Sequence, residues 1–182
     1  MTMFAINQSA LSGCVELVST KKEDNRGYFI KTFHAGFFEQ HGLATKFKEQ
    51  YFSMSVKGCL RGMHFQIPPM DHEKLVYCIS GRVMDVVVDL RKSSPTYGMA
   101  TTFDLSEERA NTVYIPRGMA HGFYVFSPQA VLVYNVTTTY SPDHDRGIHW
   151  KSVPVDWPDQ NPIVSERDSS HQYLNEFITP FS

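Results

Sequence analysis

The sequence predicts an all-β fold, an antiparallel sandwich or barrel, and two observations predict it. Glycine and proline punctuate the middle of the chain at short intervals, at Gly58, Gly62, Pro68-Pro69, Gly81, Pro95, Gly98, Pro116, Gly118, Pro128 and Pro142. The runs between them are brief and rich in Val, Ile, Tyr, Phe and Thr, the side chains that suit a pleated, half-buried surface. Five or more such runs at roughly 8 to 12 residue spacing are the pattern of a sandwich or barrel.

In chain order the strands read 74–79, 82–90, 112–115, 122–126 and 130–139. In the second of these, Val83, Asp85, Val87 and Asp89 share one face while Met84, Val86 and Val88 share the other, the period-two alternation of a strand. A helical pattern is confined to 34–42, which closes on Gly42 as a C-cap would, with a fainter one at 171–177. Helix is therefore peripheral. No repeat and no low-complexity tract appears, so the chain reads as one domain, 1–182. It divides into an arm (1–48), a strand-dense core (49–140) and a C-terminal segment (141–182) that holds both tryptophans, Trp150 and Trp157. Short strands leave sheet edges that need cover, and a symmetric partner is a common cover, so a homodimer is expected.

Composition excludes several functions. The 182 residues carry 17 Lys plus Arg against 19 Asp plus Glu, a net charge of −2, so no broad basic surface exists to bind nucleic acid or an anionic membrane. Any positive charge that matters is local. The three cysteines, Cys14, Cys59 and Cys78, are unevenly spaced and include no CxxC pair, which argues against a disulfide framework or a thiolate zinc site and fits a reducing cytoplasm. The start lacks the charged and apolar regions of a secretion signal, and no apolar run approaches a membrane span.

Four polar residues stand out in the strand pattern. His64 lies in Leu60-Arg-Gly-Met-His-Phe-Gln66, Lys74 opens an apolar strand, Tyr134 sits in Ala-Val-Leu-Val-Tyr-Asn, and His121 follows Ile115-Pro-Arg-Gly118. Each alone has a bland reading: a packed histidine, a solvated lysine, a core tyrosine. Gathered on one inward face, a base, a cation and a weak acid form an inventory for moving a proton at a carbon beside a carbonyl. A metal site is the competing reading. Barrels of this kind hold metals through His-x-His, but His64-Phe65-Gln66 lacks the second imidazole; His64, His72 and His121 remain as ligands that folding would have to gather. Nucleophile elbows and phosphate-cradling glycine loops are absent from the sequence.

Eight blocks, in order, carry a resemblance. They are 60–69 (Leu-Arg-Gly-Met-His-Phe-Gln-Ile-Pro-Pro), 74–76 (Lys-Leu-Val), 81–91, 94–98 (Ser-Pro-Thr-Tyr-Gly), 115–123 (Ile-Pro-Arg-Gly-Met-Ala-His-Gly-Phe), 140–142 (Tyr-Ser-Pro), 147–150 (Gly-Ile-His-Trp) and 165–168 (Ser-Glu-Arg-Asp). Through them the chain resembles the dTDP-4-dehydrorhamnose 3,5-epimerase family from Asp24 to Asp168. The resemblance implies a cupin-like jelly-roll barrel with short peripheral helices, and a homodimer whose N-terminal strands are exchanged. It further implies epimerisation of a nucleotide-linked 4-keto-6-deoxyhexose with no metal and no cofactor.

By the same resemblance His64 is the base, Asp168 its partner, Lys74 the cation facing the C4 oxygen, and Tyr134 the acid on the opposite face. Arg61 and Arg26 match diphosphate-binding positions, Phe29 a ring stacked on the nucleobase, Tyr140 an aromatic near the nucleotide, and His121 a supporting position. Three departures fall where the family contacts nucleotide: Lys31 replaces a usual Glu, and Glu49 and Tyr51 replace the Gln and Asn of a Gln-x-Asn-x-Ser pattern. Exchanging acceptor for donor in this way is the direction expected if cytosine replaced thymine. Pairing of Lys31 with Glu49 across strands is the ordinary alternative. A single-centre epimerase, a metal-dependent cupin enzyme and a non-catalytic sugar-nucleotide-binding barrel are the other functions consistent with these residues.

Overall fold

The computed structural model describes residues 3–182. Its strands are β1 (Phe4–Gln8), β2 (Val15–Ser19), β3 (Lys22–Asp24), β4 (Gly27–Phe29), β5 (Glu49–Val56), β6 (Leu60–Gln66), β7 (Lys74–Ser80), β8 (Arg82–Asp89), β9 (Ala100–Ser106), β10 (Asn111–Ile115), β11 (Met119–Val125), β12 (Gln129–Val136) and β13 (Asp145–Gly147). Two short helices, α1 (Ala35–Gln40) and α2 (Glu166–Ser169), and two 3₁₀ turns lie outside them. A six-stranded sheet in the order β1-β2-β10-β7-β12-β5 faces a five-stranded sheet in the order β13-β6-β11-β8-β9, and every pairing is antiparallel. This is the antiparallel two-sheet architecture that the strand pattern predicts and the cupin-like jelly roll that the resemblance implies.

The five strands anticipated from the alternation are all present. Their ends differ by no more than three residues, most at β11, which starts at Met119 rather than 122, and at β12, which stops at Val136 rather than 139. Helix α1 ends at Gln40, and Gly42 follows with φ +69. The 171–177 pattern yields only a 3₁₀ turn at Leu174–Glu176.

Three apolar clusters explain why the central strands are buried on both faces. Between the sheets, Val76, Cys78, Val113, Ile115 and Leu132 pack against Val83, Val87, Leu105, Phe123 and Val125. Outside the five-stranded sheet, Met63, Phe65, Val86, Val88 and Tyr124 are covered by Trp150, Val153, Trp157 and Phe181. Outside the six-stranded sheet, Leu75 and Tyr114 are covered by Phe4, Leu17 and Phe38. The alternation in β8 therefore assigns residues to two cores, because the C-terminal segment shields the face that would otherwise meet water.

The arm is not a detached appendage. β1 and β2 are seated in the chain's own sheet through β10, and α1 caps them. Only the β3–β4 hairpin stands apart as a two-stranded sheet with every strand residue exposed.

Candidate active site

The four polar residues come together. His64 (β6), Lys74 (β7), His121 (β11) and Tyr134 (β12) occupy inward-facing positions, and His64 and His121 are cross-strand partners on neighbouring strands. Between the sheets they line a cavity with two lobes that share Tyr51, His64 and Lys74. One lobe, about 220 Å³, continues to Gln66, His72, Tyr140, Asp145 and Arg167. The other, about 190 Å³, holds Ser53, Arg61, His121 and Tyr134.

His64 is held by a carboxylate from the far end of the chain. Its Nε2 lies 2.7 Å from Asp168 Oδ1, and the Gly62 N–H donates to Asp168 Oδ2 at 3.0 Å. Residue 62 is glycine for a packing reason: its φ is +137, and a Cβ there would stand 2.6 Å from the Gly122 Cα of the adjacent strand. Asp168 reaches β6 because the C-terminal segment is pinned along it, Leu60 N–H donating to Ile163 O at 2.9 Å and Ile163 N–H to Gly58 O at 2.8 Å. The segment then turns into α2, where Ser165 Oγ caps the Asp168 N–H at 3.1 Å.

The electrostatics suit a resting base. Burial lowers the basicity of His64 below its usual value and outweighs the opposing pull of Asp168, with Lys74 lowering it further. Burial acts to raise the Asp168 pKa, but His171, His64 and the Gly62 amide together hold it well below the usual carboxylate range. The pair rests as neutral imidazole beside carboxylate. With Nε2–H donated to Asp168, Nδ1 carries the free lone pair.

Lys74 is buried, donates from Nζ to the His64 carbonyl at 3.1 Å, and is lowered by burial to about 8, partly restored by Asp145 and Asp85. Tyr134 shares a hydrogen bond of 3.1 Å with Ser53 Oγ and stacks on Tyr51 at 4.8 Å; burial drives its pKa far up, so it keeps its proton. His121 forms a second, fully buried pair, its Nε2 2.7 Å from Asp85 Oδ2.

The residues assigned to the nucleotide separate into two groups. Arg61, Tyr51 and Tyr140 line the cavity, and Glu49 accepts the Tyr140 N–H at 2.7 Å. Arg61 is braced by Ser55 Oγ at 2.8 Å. Arg26, Phe29 and Lys31 are not among the residues that line the cavity of their own chain: Arg26 and Phe29 sit exposed on the β3–β4 hairpin, Arg26 paired with Asp24 at 2.6 Å, while the Lys31 carbonyl accepts from Ser19 Oγ. The Glu49 carboxylate is engaged by Tyr140, not by Lys31 across strands.

The sequence reading missed Asp85, Ser53, Asp145, Arg167 and His171. Asp85 had a signal, a charge on the inward face of an otherwise apolar strand; the others lie on edge strands, on the short helix α2 or in a loop, where polar residues are ordinary. His64, His72 and His121 are not gathered as a trio, since His72 lines one lobe and His121 the other. Gln66 instead ties loops together, donating to Met70 O at 2.8 Å and accepting the Ser141 N–H at 2.6 Å.

A sequence model described as dTDP-4-dehydrorhamnose 3,5-epimerase matches residues 8–176. The dTDP-4-dehydrorhamnose 3,5-epimerase of Shigella flexneri is 44% identical over 152 residues, 82% of this chain and 84% of that protein. The dTDP-4-dehydrorhamnose 3-epimerase of Streptomyces niveus is 36% identical over 169 residues, 91% of this chain and 82% of that one. Among solved structures, the dTDP-6-deoxy-D-glucose-3,5-epimerase of Legionella pneumophila in complex with dTDP-4-keto-L-rhamnose superposes with a TM-score of 0.93 at 33% identity, covering 98% of both chains.

Proposed function

This chain belongs to the dTDP-4-dehydrorhamnose 3,5-epimerase family, and from that premise we propose that it inverts C3, C5 or both in a nucleotide-linked 4-keto-6-deoxyhexose. The observation that carries the reading is the His64–Asp168 pair opening on one cavity with Lys74 and Tyr134.

The C4 ketone acidifies the hydrogens on its neighbouring carbons. His64 Nδ1 takes one as a proton, and the C–H electron pair moves onto the C4 oxygen, giving an enolate. Imidazolium forms beside Asp168, whose full negative charge offsets it. The Lys74 ammonium faces the developing oxyanion; a fixed charge so placed in a dry site is worth about 2.7 to 4 kcal/mol. Tyr134, protonated at every ordinary pH, returns a proton from the opposite face and inverts the centre. The imidazolium and phenolate then exchange their proton imbalance with water. The ketone itself is the electron sink, so this route calls for no cofactor.

Arg61 is the diphosphate ligand of the chain's own barrel, and Tyr140 flanks the nucleotide. Arg26 and Phe29 stand outside their own cavity on an exposed hairpin, which supports a homodimer in which each hairpin completes the partner's site, Lys31 following it toward the nucleobase. Thymidine diphosphate is the favoured carrier because the relatives' names specify it. No helix among the described residues is long and apolar enough to cross a membrane. Three unpaired cysteines agree with a cytoplasmic location.

The test is incubation in heavy water with dTDP- and CDP-linked 4-keto-6-deoxyglucose, following deuterium at C3 and C5. Exchange at both positions with the thymidine substrate is expected for a two-centre enzyme. Exchange at one reduces it to a single-centre epimerase, preference for CDP moves the carrier to cytidine, and none with either refutes the assigned chemistry.

A further inference from the structure

We propose that His64, Asp168 and His171 form a binding site for a divalent transition metal of zinc's chemical class, and that its occupation switches the base off. The proposed epimerisation leaves His171 unused, yet its placement is specific. It follows α2, and its imidazole lies over Gly147, which pairs with His64 in the β6–β13 ladder. Any side chain at Gly147 would overlap that ring. The glycine thus admits a second imidazole beside the first, and the two rings sit edge to face with centroids 6.0 Å apart.

His171 Nε2 is buried without a hydrogen-bond partner, 3.6 Å from Asp168 Oδ1, the oxygen that His64 Nε2 also approaches, at 2.7 Å. All three donor atoms lie within 4.8 Å of one another. A tetrahedral ion with bonds of about 2.1 Å needs donors about 3.4 Å apart, so the His64–Asp168 contact opens and the two imidazole donors, within 4.8 Å of each other, settle near that separation when it binds. Two neutral imidazoles and one carboxylate suit zinc-class ions and leave a fourth position open toward the cavity. Lys74 and Arg167 are nearby cations that oppose a dication, although Arg167 is already paired with Asp145 at 2.9 Å; affinity is therefore below that of a structural zinc site.

Occupation disables the base through tautomerism. In the resting enzyme the ring proton of His64 is on Nε2 and the lone pair is on Nδ1. A metal claims the Nε2 lone pair, so the single ring proton moves to Nδ1, the atom that must receive the substrate's hydrogen. No proton is released from a neutral ring, and the ion takes the place of the proton bridging His64 and Asp168. This inhibitory consequence rests on the reading of His64 as base; binding itself does not.

The experiment adds Zn²⁺ to metal-free protein by calorimetry and Co²⁺ by visible absorption, alongside deuterium exchange. Expected are one ion per chain, a Co²⁺ ligand-field band of low symmetry, inhibition that a chelator reverses, and in His171→Gln a loss of affinity of about tenfold or more. Exchange rates are normalised to each protein's own metal-free rate. Absence of saturable binding, a band and affinity that persist in His171→Gln, or turnover unaltered or accelerated with the ion bound would overturn the proposal. Metal-free protein without exchange counts against the epimerase reading alone, since calorimetry and the Co²⁺ band still decide the site.

Discussion

His64 and His121 oppose each other across β6 and β11, and each places Nε2 2.7 Å from its own buried carboxylate, Asp168 for one and Asp85 for the other. The two pairs are not equivalent. The His64 side chain retains 31% exposure toward the cavity, whereas that of His121 retains 4% and its Asp85 partner none. Only His64 is open enough to receive a substrate hydrogen directly. His64→Asn is therefore expected to lower deuterium washout by roughly 10² to 10⁴-fold, and His121→Asn by clearly less. Equal losses would remove the distinction between the two imidazoles.

In the proposed reaction Tyr134 acts after the enolate has formed. In Tyr134→Phe the phenol is lost while Tyr51 still has a ring to stack on, so the cavity keeps its shape. Solvent exchange at the carbon attacked by His64 should continue, because His64 can return a deuteron to the face it came from. Inverted product should fall by at least about tenfold relative to that exchange. Comparing washout with product by NMR checks this; a parallel fall of both would assign Tyr134 to binding.

How much was legible in the sequence follows from where water is. β8 was readable because its alternation matches the pleat, although shielding by Trp150 and Trp157 buries both of its faces. β5 runs opposite to expectation. Tyr51 and Ser53 line the cavity and the buried Ser55 braces Arg61, while Phe52, Met54 and Val56 stand 72%, 53% and 51% exposed on an edge strand. Hydrophobic patterning cannot locate such a strand, because a polar cavity inverts the inside-outside rule. His64, Lys74 and Tyr134 were visible as polar residues interrupting apolar runs. Asp168 is 104 positions from His64, so no local spacing signals the pair, and it entered only through family resemblance. His171 had no such route; it is recognised by the space that Gly147 leaves.

The pH profile has two limbs with assigned causes. The proposed reaction requires neutral His64, whose burial-lowered pKa sets the rising limb below the usual histidine value near 6.5. The proposed reaction also requires the Lys74 ammonium, lowered to about 8, so the falling limb is centred near there instead of near 10.5. Measured kcat/KM against pH should give a bell with its upper shoulder about pH 8. In Lys74→Arg, whose guanidinium does not titrate in this range, the upper limb should vanish from whatever activity remains.

Lys74 also carries a stability cost. A lysine with a folded pKa of about 8 and an unfolded value near 10.5 is less protonated in the native state between those limits. The unfolded chain then binds more protons, so stability rises with pH across that window, and the full penalty is present below it. Lys74→Met fills the same space without the charge and loses one hydrogen bond to the His64 carbonyl. The net expectation at pH 7 is a gain of about 1 to 2 kcal/mol with turnover abolished, the gain shrinking as pH approaches 10.5. Thermal unfolding of both proteins across pH checks it; a destabilised Lys74→Met would mean the ammonium is better compensated than its burial indicates.

The proposed exchange of the hairpin gives the most discriminating prediction, because it would divide each site between two chains. Arg26 and Phe29 lie on β3–β4, exposed in their own subunit, whereas His64 lies inside the barrel. An Arg26→Ala/Phe29→Ala chain keeps a complete barrel but lends its partner a defective hairpin, and a His64→Asn chain does the reverse. Each homodimer should be nearly inactive. Unfolded, mixed in equal amounts and refolded, half of the dimers are hybrid, and each hybrid joins one intact barrel to one intact hairpin. About one quarter of wild-type activity per site is then expected by random pairing. If the hairpin served its own barrel, every chain would carry one lesion in its own site and mixing would restore nothing, so recovered activity separates the two arrangements without reference to how either variant folds alone.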